Sequence, residues 1–194
     1  MKMKSPLHFL ISVLILNISS LTGNSQTTGL YLTFEDFRNE IISHELSCDE
    51  KGSRISLSNE KRDWIKVKST DGIFRYKKSE TYGFIDCNGE QFRFAETQLY
   101  QISEVGHLIM YQQGDYNTTL GEELISLATF HFSLNLNSPI QPLNLDNLKL
   151  AFPENHRFHD LLDANFSGGQ PVSSFDDFHG TYKVNRILDE SLNH

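Results

Sequence analysis

Several signatures are missing from this chain, and each absence closes a class of chemistry. No GxSxG occurs, and the one Ser-Gly-Gly, Ser167 to Gly169, has no base at a fixed spacing, so no serine-hydrolase elbow is encoded. No glycine pattern of the phosphate-cradling kind is present either. Cysteine is scarce: Cys48 and Cys87 are the only two, neither in a CxxC pair, which leaves thioredoxin-type redox chemistry and cysteine-held zinc unsupported. Positive charge is short as well, with 17 Lys and Arg against 25 Asp and Glu. Nucleic acid and anionic membrane surfaces reward clustered cations and are therefore poor partners. The dense basic stretches, "KRDWIKVK" and "RYKK", read as solvated strand faces.

What is present begins with a leader. Lys2 and Lys4 precede the apolar run Phe9 to Leu21, which is too short and too polar at its end to span a membrane. Gly23 and Ser25 then occupy the −3 and −1 positions of a small-x-small cleavage site, placing the cut before Gln26. Residues 1–25 are thus expected to be a signal peptide, and the chain to be secreted or periplasmic. Its removal takes the basic count to 15 against an unchanged 25 acids, a net charge of −10. No second apolar run follows, so stable membrane insertion after cleavage is not expected. In an oxidising compartment an even cysteine count favours a Cys48–Cys87 disulfide, the alternative being two buried thiols.

From Arg54 to about Leu134 the chain alternates apolar and polar residues in short runs. "RISLS", "WIKVK", "IFRYK", "YGFIDC", "EQFRFA", "LYQISEV", "HLIMYQ" and "ATFHFSL" read as strands separated by turn residues. Such runs predict an antiparallel meander that curls into a half-barrel or barrel. Ahead of it, Thr33 and Asp36 form a capping box at a helix start. Beyond residue 142 the period lengthens to 3.6. One helix carries Phe158, Leu161 and Leu162, and a second, capped by Ser174 with Asp177, carries Phe175, Phe178, Tyr182 and Leu188. The reading is an α+β fold of one domain: a β-rich body over residues 26–142 and a helical segment over 143–194 docked on it.

The hairpin "TYGFIDCNGEQFRF" sets the main structural question. A two-residue turn at Asn88-Gly89 pairs Ile85 with Phe92 and Gly83 with Phe94. That register puts Tyr82, Phe84 and Arg93 on one face and the core-forming residues on the other. The exposed face then needs a cover, and the C-terminal helices are the expected one; left uncovered, Tyr82, Phe84 and Arg93 form an aromatic binding platform for a protein or a glycan. "YGFIDCNGE" resembles a single WG-type β repeat, with Tyr in place of the usual Trp, which implies a hairpin. The order of "GLYLTFEDF", "YGFIDCNGE", "LYQISEVG" and "NLDNLKLAFPENHRFHDLL" resembles a group of small secreted bacterial proteins and implies no particular activity.

One constellation suggests chemistry. His156, His159, Asp160 and Asp163 share a helix face at i, i+3, i+4 and i+7, the arrangement of a metal-dependent hydrolase, with Asp176 and His179 available to complete it. Phe158, Leu161 and Leu162 point the other way, however, and an amphipathic helix has a polar face regardless of function. His44, His107 and His131 stand alone. The functional expectation is a non-catalytic binding protein without a cofactor; a metal hydrolase and a carbohydrate-binding module are the alternatives.

Overall fold

The computed structural model describes residues 26–58, 62–114 and 128–193. The expected leader lies outside them. The strands are β1 Thr27–Tyr31, β2 Ser43–Ser47, β3 Arg54–Leu57, β4 Ile65–Ser69, β5 Gly72–Tyr76, β6 Gly83–Ile85, β7 Gln91–Ala95, β8 Gln98–Val105, β9 Ile109–Gln113, β10 Thr129–Ser133, β11 Gln141–Pro142, β12 Phe175–Asp176 and β13 Thr181–Tyr182. The α-helices are α1 Phe34–Arg38, α2 Leu145–Ala151, α3 His156–Phe166 and α4 Lys183–Leu192.

Eight strands form one antiparallel sheet in the order β11-β10-β9-β8-β7-β6-β1-β2. The expected meander is there from β6 to β11, with β1 and β2 added at the β6 end. The sheet is open, not a barrel: it runs from β2 to β11 without closure, and β11 carries Pro142, which is tolerated on an edge because an edge residue need not donate to the ladder. β2 follows the short helix α1 and pairs back on β1. The Thr33–Asp36 capping box forms, but the helix stops after five residues, and Glu40 turns the chain at φ 56.

Directly paired residues of an antiparallel ladder share a face. One row crosses six strands this way: Leu30, Phe84, Phe92, Gln101, Gln112 and Phe130. Its apolar ends lie under two separate covers on the same side of the sheet. At the β1-β6-β7 end, Leu30, Leu46, Phe84, Phe92 and Phe94 pack against Ile65 and Val67 of the three-stranded sheet β3-β4-β5. At the β9-β10 end, Leu108, Met110 and Phe132 pack against Leu148 of α2, Phe158 and Leu162 of α3, and Ile187 and Leu188 of α4. Between the covers the row changes from rings to the amides of Gln101 and Gln112.

The hairpin register differs from expectation by one residue. Asp86 and Glu90 close a three-residue loop, Gly89 sits at φ 81, and the Asp86 carboxylate accepts from the Asn88 and Glu90 amides. Phe84 therefore faces Phe92, ring centroids 4.6 Å apart, and joins the core face. The C-terminal helices cover neither Tyr82 nor Phe84; the small sheet covers Phe84, and α1 covers Tyr82 through Phe34 and Phe37. Gly83 is needed where the chains draw close, since a Cβ there would lie 2.0 Å from the Phe92 carbonyl oxygen. Cys48, just past β2, and Cys87, in the loop, form the disulfide across 39 residues.

The C-terminal segment also departs from expectation. The helix read from Ser174 is instead a ribbon, β12 paired with β13, because Gly180 takes a left-handed φ of 65 and the Asp176 carboxylate accepts from the backbone amide of His179. Helix α4 starts only at Lys183. No helix among the described residues is long and apolar enough to cross a membrane.

Candidate functional site

An open groove of about 420 Å³ lies where the helical cover stops short of the β6–β7 turn. Its floor is Gln101, Ile102, Ser103 and Gln112; Gly89, Glu90 and Gln91 edge it, and Phe175 and Tyr182 of the ribbon form its wall. The floor follows from the polar middle of the six-strand row. Gln112 Nε2 donates to the Tyr182 hydroxyl at 2.9 Å, while the Gln101 amide has no hydrogen-bond partner among the described residues.

A β-bulge shapes the floor. Ile102 pairs with Tyr111 but Glu104 pairs with Met110, so Ser103 is the extra residue on β8. The bulge turns Glu104 to the face of Gln101 and Met110, under the C-terminal segment. There its carboxylate accepts from Thr181 Oγ1 at 2.6 Å, Tyr182 N at 2.7 Å and Asn185 Nδ2 at 2.6 Å. That one side chain fixes the ribbon and the start of α4 to the sheet. Ser103 itself has a buried hydroxyl with no hydrogen-bond partner among the described residues. Buried polar atoms are paired in most native structures, which makes an unpaired one beside a groove informative.

The wall is aromatic. Phe175 is 51 % exposed and meets Tyr182 edge-on with centroids 5.4 Å apart; Phe178 at the ribbon's tip is 91 % exposed. Asp176 ties the ribbon down by accepting from His179 Nδ1 at 2.8 Å and pairing with Arg186 at 3.1 Å. The His179 hydrogen bond is the main reason its carboxyl is held below the usual carboxylate range, with the Arg186 charge acting in the same sense.

The residues singled out in the sequence occupy other places. Phe84 and Arg93 are each 8 % exposed, so they form no open platform with Tyr82. The Arg93 guanidinium lies over the Tyr82 and Tyr111 rings and donates to the Tyr111 hydroxyl and the Ser138 carbonyl, while the Tyr82 hydroxyl donates to the Leu136 carbonyl. Together they pin the connection between β10 and β11 against the back of the sheet. Burial raises the Tyr82 phenol well above its ordinary value.

On α3, the His156 and His159 rings are 6.0 Å apart, but His159 Nε2 bonds the Phe152 carbonyl and Asp163 pairs with Lys149. No group of three or more His, Cys, Asp or Glu side chains among the described residues is arranged to hold a metal ion. His107 pairs with Asp189 of α4, His44 with the Tyr76 hydroxyl, and burial pushes the His131 imidazole below its ordinary value. A second hollow of about 420 Å³, lined by Leu32, Trp64, Arg75, Tyr76, Lys77, Glu80 and Thr81, lies beside the small sheet.

Sequence reasoning missed the groove for two reasons. Phe175, Phe178 and Tyr182 fit a helical stripe as well as they fit a ribbon, and the one contrary signal was Gly180. Gln101 and Gln112 read as solvent-facing strand residues, and nothing local marks Ser103 as a bulge. Comparison with known proteins finds no match: no family model, curated protein or solved structure is similar to the chain.

Proposed function

We propose that the protein is a non-catalytic binding protein acting outside the cytoplasm, with the groove beneath the Phe175–Phe178 ribbon as its ligand seat. The observation that carries the reading is the conjunction at that groove. The half-exposed Phe175 ring stands over a floor whose Gln101 amide is unmatched within the described residues, with the buried Ser103 hydroxyl, likewise unmatched, behind it. Exposed rings next to convergent unpaired polar groups are the composition of a recognition site. The chemistry available in the groove supports binding over turnover. Glycoside hydrolysis, for example, uses two carboxylates across the scissile bond, whereas the lining holds one, Glu90, and the nearby Glu104 is engaged by three donors.

The test uses the chain from Gln26 onward on arrays of glycans and peptides, beside a Gln101→Ala, Phe175→Ala double variant shown by circular dichroism to be folded. Selective retention by the parent chain that the double variant loses is the expected result. Turnover of ester, peptide or glycoside substrates by the parent chain, abolished by a groove substitution, would overturn the reading.

A further inference from the structure

We infer that the ligand of the groove is a short neutral saccharide, an inference that rests on the binding role proposed above and names its chemical class. Four features of the site converge on it.

The first is charge. Of the lining residues only Glu90 is acidic and none is basic, and Glu90 stands at the edge. The floor is two glutamines in direct cross-strand register, Gln101 and Gln112, with the buried Ser103 hydroxyl behind them, while Gln91, next to Phe92 on β7, turns its amide to the other side of the sheet and bonds Tyr31. Side-chain amides both donate and accept, so such a floor matches a ligand whose hydroxyls do the same. An anionic ligand would meet no cation there, and the chain's acidic excess works against it.

The second is the wall. Phe175 offers a half-exposed ring, and Tyr182 adds a hydroxyl already oriented by Gln112. A ring above an amide floor suits a ligand with one apolar C–H face and a rim of hydroxyls, which is the geometry of a pyranose. The third is location. β8 is flanked on both sides, by β7 and β9, so its backbone groups are committed to the ladder and cannot take a peptide by strand addition. Recognition has to come from side chains. The fourth is size: about 420 Å³ falls within the span of small-molecule sites, about 300–1,000 Å³, and suits a few sugar residues.

The test is a titration of the isotopically labelled chain from Gln26 onward, following the side-chain amide resonances of Gln101 and Gln112, with that of Gln91 on the opposite face as an internal control. The probes are neutral glucan, mannan, galactan and chitin-type oligosaccharides, an oligouronate and a mixed peptide pool. Trp64 lies beside the other hollow, so its indole resonance reports whether a probe acts elsewhere. The expected result is saturable shifts of the Gln101 and Gln112 amides with at least one neutral oligosaccharide. Phe175→Ala should then weaken binding about tenfold, the worth of one good aromatic contact. Gln101→Ala, at a partly exposed position, gives a second reading should the ribbon variant lose structure. Shifts at these amides with the peptides or the oligouronate only would overturn the saccharide assignment and leave the binding role standing. Absence of shifts there with every probe, up to millimolar concentration, would overturn both.

Discussion

Replacing Asn185 with alanine should unseat the C-terminal cover. Asn185 is 4 % exposed, and its amide closes a two-bond ring with the backbone of Leu108: Oδ1 accepts from the Leu108 amide at 2.8 Å and Nδ2 donates to the Leu108 carbonyl at 3.0 Å. The same Nδ2 reaches Glu104. Leu108 is fully buried, so Asn185→Ala strands its N–H away from water, worth about 1–3 kcal/mol when left unpaired, and takes one of two donors from its carbonyl, which keeps the Gly106 N–H, and one of three from Glu104. Allowing for partial relaxation, the expected loss is about 3 kcal/mol. At about 2–4 °C per kcal/mol for a chain of this size, the melting temperature should fall by roughly 10 °C. Urea titration followed by far-ultraviolet circular dichroism measures it. Asn193→Ala, at the exposed C-terminal cap of α4, serves as the control and should change stability by no more than about 0.5 kcal/mol. A loss under about 1 kcal/mol in Asn185→Ala would refute the claim that this side chain clamps α4 to the β8–β9 turn.

Reducing the Cys48–Cys87 disulfide, which closes 39 residues, should cost about 4 kcal/mol on the chain-entropy model; melting with and without a thiol reductant checks it, and unchanged melting would contradict it. Gly83→Ala forces a methyl against the Phe92 carbonyl and should destabilise by at least about 2 kcal/mol, whereas Gly89→Ala, strained only by its positive φ, should cost about 1–2 kcal/mol; denaturant midpoints of the pair decide the order. Asp176, whose folded carboxyl is held low chiefly by His179, stabilises the ribbon fully above its ordinary value of 3.8 and loses that contribution as pH falls below it. The amide resonances of residues 175–182 should therefore broaden in acid below that value. Asp176→Asn should remove the Asp176-linked part of this pH dependence.

Much of the architecture is legible in the residues because it rests on local rules. Alternation in "WIKVK", "EQFRFA" and "ATFHFSL" names the strands, Thr33 with Asp36 names the first cap, and Phe158 with Leu162 names the buried stripe of α3. What local rules do not carry is which surface meets which. The hairpin register turned on whether the loop held two residues or three, and that one residue moved Phe84 into the core beside Phe92. The covers of Tyr82 and Phe84 came from α1 and from β3-β4-β5, both earlier in the chain than the hairpin; an apolar stripe says that a helix must bury its face, not against what. The groove is non-local altogether. It exists because a row of directly paired residues from six strands is apolar at both ends and polar at Gln101 and Gln112, a property of the register and of no single segment.

The central claim is that this polar middle, walled by the ribbon, is where a ligand sits. Affinity electrophoresis through gels containing neutral polysaccharides tests it most directly, with the parent chain, Gln101→Ala and Phe175→Ala run side by side against a polysaccharide-free gel. The account predicts that at least one neutral polysaccharide retards the parent chain and that both variants, folded by circular dichroism, migrate nearly as in the blank gel. Equal retardation of all three chains would place the binding elsewhere on the surface and contradict the account.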